Sequence, residues 1–282
     1  MNIEELLQKG KKELIKNNIE DSYIISKLLI LYIFNIQENK YIINKYQSVD
    51  NKKEIEYMNY INEIIQGKPL QYITNKQEFM KLDFYIDSNV LIPQPDTEIL
   101  VEKVIEIANK NINTEKLKIL DICTGSGAIG ISLAKYIKNS RILLSDISKE
   151  AIQIAKTNAK NNKVEDNIDY LISDMYDKIE EKFDIIVSNP PYIESNIIET
   201  LSKQVQSEPK LALDGGQDGL KFYRNLIENS YKYLNKNGYL CMEIGYNQKE
   251  EILKLIKDKY KNIETIKDLE GNNRVVICQK EE

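Results

Sequence analysis

The chain has 282 residues, 42% of them apolar and 29% charged, with a formal net charge of −5. That balance fits a core-forming globular protein rather than a disordered one, at a length comfortable for two domains. The acidity argues against bare nucleic acid as the main partner, which usually selects a basic surface. The sequence contains no His, which removes Ser–His and Cys–His nucleophile pairs and His-ligated zinc. Cys123, Cys241 and Cys278 stand in or beside strand-like apolar runs, at a spacing that matches no metal site. They read as reduced, buried thiols of a cytoplasmic protein, and no metal is expected. Residues 1–5 are acidic where a basic leader would stand. No uncharged apolar run is long enough to span a bilayer, so no membrane association is expected.

Residues 1–75 read as a helical domain. Ile3, Leu6, Leu7, Leu14 and Ile15 recur near helical spacing. Asp21 is placed to cap a second helix carrying Ile24, Ile25, Leu28, Leu29 and Tyr32. A third, from about Lys53, carries Ile55, Met58, Ile61, Ile64 and Ile65, with Gly67 and Pro69 as stop signals. Residues 76–95 read as a β-hairpin linker. Phe79, Leu82, Phe84, Ile86, Val90 and Ile92 suggest two short strands turning at Asp87-Ser88-Asn89, ended by Pro93 and Pro95. A helix follows from Asp96, with Thr97 and Glu98 at its start and Ile99, Leu100, Val104 and Ile107 on one face. Strand-length apolar runs then occupy 117–122, 141–145, 168–172, 183–188, 238–244 and 274–278. Helical segments at 128–138, 149–161, 219–235 and 249–259 lie between several of them. This alternation predicts an α/β domain over 96–282: a Rossmann-like, mainly parallel sheet with helices on both faces. Ligands of such sheets bind beyond the carboxyl ends of the strands.

The first of these strands runs into Asp121-Ile122-Cys123-Thr124-Gly125-Ser126-Gly127. Glycines let a backbone approach a ligand closely, and the helix that follows opens with free N–H groups. The second strand ends at Asp146, a carboxylate able to accept from both hydroxyls of a ribose. Gly125-Ser126-Gly127-Ala128-Ile129-Gly130 formally matches the dinucleotide fingerprint. Asp121 and Thr124, however, put polar groups ahead of the first glycine, where the dinucleotide motif turns at once. A pyrophosphate takes the helix N-terminus, whereas a methionine-bearing nucleoside needs donors for a carboxylate and acceptors for an ammonium. With the motif described next, the loop reads as a site for S-adenosylmethionine rather than NAD. The third strand ends in Ser173-Asp174-Met175-Tyr176. By position Asp174 would accept from an adenine amino group and Met175 would give apolar contact. An ordinary turn cap and a buried Met suit these residues equally well, and both readings stay open.

The fourth strand, 183–188, runs into Asn189-Pro190-Pro191-Tyr192. Two prolines fix φ and remove two N–H groups, leaving carbonyl oxygens and the Asn189 side-chain oxygen as acceptors. Such a cluster holds both hydrogens of a planar amino group, with Tyr192 as an aromatic wall. An amide or ring-amino nitrogen is not basic, because its lone pair is delocalised. Holding its N–H bonds lets it become tetrahedral as it attacks a methyl carbon, and positioning carries most of the reaction. Asn189, Pro190 and Tyr192 are thus the expected catalytic group, with Pro191 completing the substrate site and Asn189 also bordering the cofactor.

The whole resembles the bacterial peptide chain release factor glutamine methyltransferases. Val90-Leu91-Ile92-Pro93-Gln94-Pro95-Asp96-Thr97-Glu98 looks like that family's signature ahead of the catalytic domain. Gly67, Pro69, Tyr72 and Phe79 resemble its entry segment. After the NPPY tetrapeptide, Glu208-Pro209, Ala212-Leu213, Gly215-Gly216, Asp218-Gly219-Leu220, Glu243-Ile244-Gly245, Gln248 and Arg274-Val275-Val276 match as well. The resemblance implies a class I methyltransferase domain and a helical N-terminal domain that contacts the release factor. It implies S-adenosylmethionine held by the glycine loop, Asp146 and 173–175, and a substrate glutamine held by residues 189–192. Direct nucleic-acid binding is not required. Gln94 stands where the family usually has Arg, Asp96 where it often has Glu, and Met175 where a bulkier or aliphatic residue is common. Cys123 replaces a usual Gly, which suggests that this position does not need positive φ. A ribosomal-protein glutamine methyltransferase, a nucleic-acid amino methyltransferase and a non-catalytic binding protein of the same fold are the alternatives.

Overall fold

The computed structural model describes residues 1–111, 116–256 and 259–281. The chain forms two compact units: Met1–Asn75 with Ser202–Ser207, and Lys76–Leu201 with Glu208–Glu282.

The first unit holds α1 (Ile3–Lys16), α2 (Ser22–Phe34), α3 (Tyr41–Asn44), α4 (Asn51–Ile65) and α5 (Leu70–Thr74). A capping box opens α1: Asn2 Oδ1 accepts from the Glu5 N–H at 2.9 Å, and the Glu5 carboxylate accepts from the Asn2 N–H at 3.0 Å. Leu6, Leu7, Leu14, Leu29, Tyr57 and Ile61 bury the contact faces of α1, α2 and α4 in one core. Asp21 does not cap α2 as expected. It lies in the left-handed region at φ 50°, and its side chain makes no cap hydrogen bond. The apolar face assigned to α2 also divides: Leu29 is buried, with Ile30 from outside that face, while Ile24, Leu28 and Tyr32 are exposed. The helix is apolar all round, so its pattern does not say which side is covered. α4 begins two residues earlier than expected, where Asp50 accepts from the Lys53 N–H at 2.8 Å.

In the second unit β1 (Gln77–Phe79) and β2 (Leu82–Phe84) form the hairpin, turning at Met80-Lys81. This corrects the expected turn at 87–89, which is a separate bend where Asp87 Oδ1 accepts from the Asn89 N–H at 2.9 Å. Both turn residues have positive φ, 50° and 59°, the geometry two-residue hairpins prefer. Met-Lys carries none of the Asn or Gly that usually announces it. Phe79 and Phe84 bury themselves in this unit's core, rings edge-on at 6.1 Å, so the hairpin belongs to the second unit and is not a free linker.

There follow α6 (Pro95–Asn111), β3 (Leu117–Ile122), α7 (Ala128–Tyr136), β4 (Ser140–Asp146), α8 (Lys149–Asn161), β5 (Ile168–Ile172) and β6 (Phe183–Ser188). Next come the single turns α9 (Lys203–Gln206, part of the first unit) and α10 (Lys210–Leu213). The chain continues through α11 (Lys221–Tyr233), β7 (Leu234–Glu243), α12 (Lys249–Ile256), β8 (Tyr260–Lys267) and β9 (Asn273–Lys280). Residues 257–258 of the helix expected over 249–259 lie outside the described residues. The sheet order is β5-β4-β3-β6-β7-β9-β8, with β9 antiparallel to both neighbours and the other pairings parallel. The edge strand β8 was not anticipated, because Lys261, Glu264 and Lys267 break its apolar pattern. Charges of this kind blunt an exposed sheet edge.

Alternate strand residues face opposite sides. Ile119, Ile142, Ile185 and Val187 pack with α6, α7 and α8, while Leu120, Ile122, Ile186 and Met242 pack with α11 and α12. The chain runs outward from β3 through β4 and β5, then returns to β6 on the other side of β3. That reversal opens a crevice beyond the carboxyl ends of β3 and β6. Among the described residues, no helix is long and apolar enough to cross a membrane.

Candidate active site

A cavity of about 200 Å³ lies in this crevice. It draws Cys123 to Ser126 from the β3–α7 loop, Asp146 from the end of β4, Ser173 to Met175 after β5, and Asn189 with Pro191 after β6. Gly125 has φ 55°, and an added Cβ there would meet nothing within 4 Å, so a ligand can approach its backbone closely. Asp146 stands beside it, its carboxylate held by main-chain donors from Gly125, Ile147 and Ser148. The Gly125 N–H donates to Oδ2 and the Ser148 N–H to Oδ1, both at 2.9 Å. Burial pushes the Asp146 pKa up, and these donors oppose the shift. The carboxylate keeps acceptor capacity for a further donor. A fixed carboxylate between an open glycine and the apolar Ile147 and Met175 fits the ribose and adenine of S-adenosylmethionine.

Two expected cofactor residues lie outside the lining. Asp121 is fully buried beneath the loop, where its Oδ2 accepts from Thr124 Oγ1 at 2.6 Å and from the Gly130 N–H at 3.0 Å. Burial pushes its pKa up to about 7. It braces the turn from below. Gly127, at φ 82°, is the residue from which α7 starts. Cys123 corrects two expectations. Its φ is 60°, so the position does adopt the left-handed backbone that Gly would take without cost. Its thiol is not buried like those of Cys241 and Cys278; it lines the cavity, with Sγ 3.9 Å from Met175 Sδ. For 173–175 the side chain shown on the turn is that of Ser173 rather than Asp174, and Met175 is buried. Ser173 Oγ accepts from the Lys178 N–H at 3.1 Å and donates to the Met175 carbonyl at 3.2 Å, while Asp174 and Met175 line the cavity.

At the reaction end, Pro190 and Tyr192 do not line the cavity. The Tyr192 ring packs against the buried cluster beneath the sheet, and its Oη donates to Glu243 Oε1 at 3.4 Å. Among the described residues the aromatic side chain on the cavity is Phe222, at the start of α11, with Lys221 Nζ 5.1 Å from its ring centroid. The tetrapeptide loop is pinned from behind. Gln248 Nε2 donates to the Tyr192 carbonyl at 3.0 Å and to the Gly219 carbonyl at 3.2 Å, and its Oε1 accepts from the Gly245 N–H at 3.0 Å. Gly215 passes so near that a Cβ there would lie 2.7 Å from Tyr192 Cα.

Behind Asn189 runs a polar chain that sequence reasoning missed. Asn189 Nδ2 donates to Thr97 Oγ1 at 3.2 Å, and Thr97 Oγ1 donates to Glu243 Oε2 at 2.6 Å. Glu243 is 2% exposed. Burial pushes its pKa up to about 7, opposed by the Thr97 hydrogen bond and the Arg274 charge. Arg274 itself bridges Asp96 at 3.1 Å and Asp268 at 3.0 Å. The available signal was a carboxylate closing the apolar run Cys241-Met242. Gln94 lines the cavity and donates through Nε2 to the Ile92 carbonyl at 3.0 Å. The Ile92 N–H donates to Glu208 Oε2 at 2.8 Å, and burial pushes the Glu208 pKa up to about 7.

A family profile described as "Methyltransferase small domain" matches residues 95–216, and one described as "PrmC N-terminal domain" matches residues 5–74. The chain is similar to the release factor glutamine methyltransferase of Clostridium acetobutylicum, at 41% identity over 99% of this chain and 98% of that protein. Its counterpart in Clostridium botulinum is 38% identical over 99% and 100%. A crystal structure of a methyltransferase from Pyrococcus furiosus covers 79% of this chain and 99% of that one, with a TM-score of 0.53. At 20% identity that likeness concerns the fold alone.

Proposed function

The chain belongs to the release factor glutamine methyltransferase family, and from that premise we propose that it methylates the side-chain amide nitrogen of the glutamine in the Gly-Gly-Gln loop of peptide chain release factors. It is an S-adenosylmethionine-dependent enzyme. When bound, S-adenosylmethionine supplies a methyl group on a sulfonium that leaves as a neutral thioether. In this reading Asp146 holds the ribose hydroxyls, Asp174 and Met175 border the adenine, and Thr124, Gly125 and Ser126 receive the methionine portion. Asp121 and Gly127 shape the loop from outside the cavity.

Asn189 Oδ1 accepts a hydrogen bond from one N–H of the substrate amide. Pro191 and Phe222 bound its planar faces. The amide nitrogen then pyramidalises and attacks the methyl carbon without prior loss of a proton, the sulfur leaves with the C–S electron pair, and the resulting N-protonated amide is acidic enough to release its extra proton to water, so no strong general base is needed. The observation that carries this reading is the position of Asn189. It follows β6 directly, beside the glycine loop and Asp146 on one cavity, with its amide nitrogen tied back to Thr97.

The single planar side chain gripped here is too small to select one protein. Residues 1–75 supply the second contact, with the release factor, in the cytoplasm. Two linked contacts raise effective concentration when the geometry allows both. Labelled S-adenosylmethionine should therefore deliver its methyl to an intact release factor far faster than to a short Gly-Gly-Gln peptide. Asn189→Ala should lower the transfer rate by about a hundredfold or more while barely changing cofactor affinity, as removal of one preorganised hydrogen-bonding group does elsewhere. Preferential labelling of ribosomal RNA or a ribosomal protein would refute the substrate assignment.

A further inference from the structure

The Asn189 side chain has one end that accepts and one that donates. The reaction requires the accepting end to face the substrate nitrogen. Nothing in the shape of an Asn side chain enforces this, because oxygen and amino group are nearly the same size. The enforcement comes from behind. Thr97 has a single hydroxyl hydrogen, and at 2.6 Å from Glu243 Oε2 that hydrogen is committed to the carboxylate whenever Glu243 is ionised; the distance is typical of a charge-assisted bond. Thr97 then offers Asn189 lone pairs only. An Asn189 amide turned the other way would set oxygen against oxygen with no hydrogen between them. The observed arrangement, Nδ2 toward Thr97 at 3.2 Å, leaves Oδ1 for the substrate.

Glu243 is itself held. Its main-chain carbonyl accepts from Tyr223 Oη at 2.9 Å, and Oε1 accepts from Tyr192 Oη at 3.4 Å. The same carboxylate therefore touches both ends of the tetrapeptide, Asn189 through Thr97 and Tyr192 directly. None of these groups except Asn189 and Thr97 reaches the cavity. A carboxylate almost without solvent contact calls for a reason beyond packing.

We propose that Glu243, acting through Thr97, is the positioning residue that fixes which end of the Asn189 amide faces the substrate. This rests on the function proposed above. A Gln at 243 can present either an acceptor or a donor to Thr97, and so loses the direction of the chain while keeping its shape. Thr97→Val breaks it at the middle. Thr97→Ser keeps the hydroxyl and rebuilds it.

The test is single-turnover methyl transfer to an intact release factor at saturating S-adenosylmethionine, with cofactor affinity measured separately by calorimetry. Glu243→Gln and Thr97→Val should each slow transfer by roughly tenfold to a hundredfold, the worth of one hydrogen bond to a charged or buried group. Cofactor affinity should stay within about twofold, since no cofactor contact is lost. Thr97→Ser should retain the wild-type rate. The double variant should be no slower than the slower single one, because both interrupt the same chain. Should Glu243→Gln fail to fold, Thr97→Val with its Ser rescue decides alone. An active wild type whose Thr97→Val variant keeps its rate overturns the positioning role. So do variants that lose cofactor affinity in step with rate. A wild type that transfers no methyl to any release factor overturns the function on which the role rests.

Discussion

At the floor of the cavity Cys123 and Met175 face each other with both backbones in the left-handed region, at φ 60° and 44°. That conformation costs a non-glycine residue about 1–2 kcal/mol. Cys123→Gly should remove this strain. Against it stands the extra unfolded-state freedom of glycine, roughly 0.4–1 kcal/mol. The expected result is a urea midpoint equal to or slightly above that of the wild type, while Cys123→Val, β-branched in the same geometry, falls clearly below it. A glycine variant less stable than the valine variant would show that the thiol contact outweighs the strain. Asp146→Ala should leave the fold intact and weaken S-adenosylmethionine binding by about tenfold to a hundredfold, the loss of charge-assisted hydrogen bonds to two hydroxyls. Calorimetry showing unchanged affinity would remove Asp146 from the ribose site. Residue types at strand ends were readable because chemistry is written there in short motifs: Cys123 to Ser126 of the glycine loop, Asp146 and Asn189 line the cavity, while Asp121 and Gly127 of the same loop do not. Thr97 and Glu243 were not found as a pair. They stand 146 residues apart, and neither type in isolation signals a site.

The strands and helices around the cavity were readable for the same local reason. The limits of β3, β5, β6 and α8 coincide with the apolar runs 117–122, 168–172 and 183–188 and with the helical pattern 149–161. Elements whose stability comes from elsewhere were not readable. The β1–β2 turn bends at Met80-Lys81 without glycine because Phe79 and Phe84 anchor both strands in the core. Charged β8 exists because β9 pairs with it. Phe222 reached the cavity only once α11 was placed. At this scale the loop after β6 is the element most exposed to failure, since its prolines bring no N–H groups to hold it. Gln248 supplies that hold by donating to the Tyr192 and Gly219 carbonyls. Gln248→Leu should leave these acceptors unpaired, cost about 1–3 kcal/mol of stability, and lower methyl transfer more than cofactor affinity. Equal stability with unchanged transfer would show that the loop holds itself.

For the whole molecule, carboxyls withdrawn from water set the response to pH: Asp121 and Glu243 are buried, Glu208 and Asp146 partly so. Burial pushes Asp121, Glu208 and Glu243 each up to about 7, whereas in the unfolded chain such groups titrate near ~4. Between those values the folded state binds more protons than the unfolded one, so stability falls as pH rises. Asp218 moves the other way, down to about 2 through its hydrogen bond to Arg224, and acts only below the unfolded carboxyl range. The urea midpoint should therefore be higher at about pH 5 than at about pH 8, and Glu208→Gln should reduce the difference. A midpoint that rises with pH over this interval would contradict the buried-carboxyl account. In the proposed function, chemistry sits in the second unit and recognition in the first, so activity should depend on the substrate being a folded protein. The most direct measurement is tandem mass spectrometry of an intact release factor after incubation with the enzyme and S-adenosylmethionine. The account predicts a single methyl group on the side-chain nitrogen of the Gly-Gly-Gln glutamine, absent with Asn189→Ala. An unmodified glutamine, or methyl on another residue or on RNA, would contradict it.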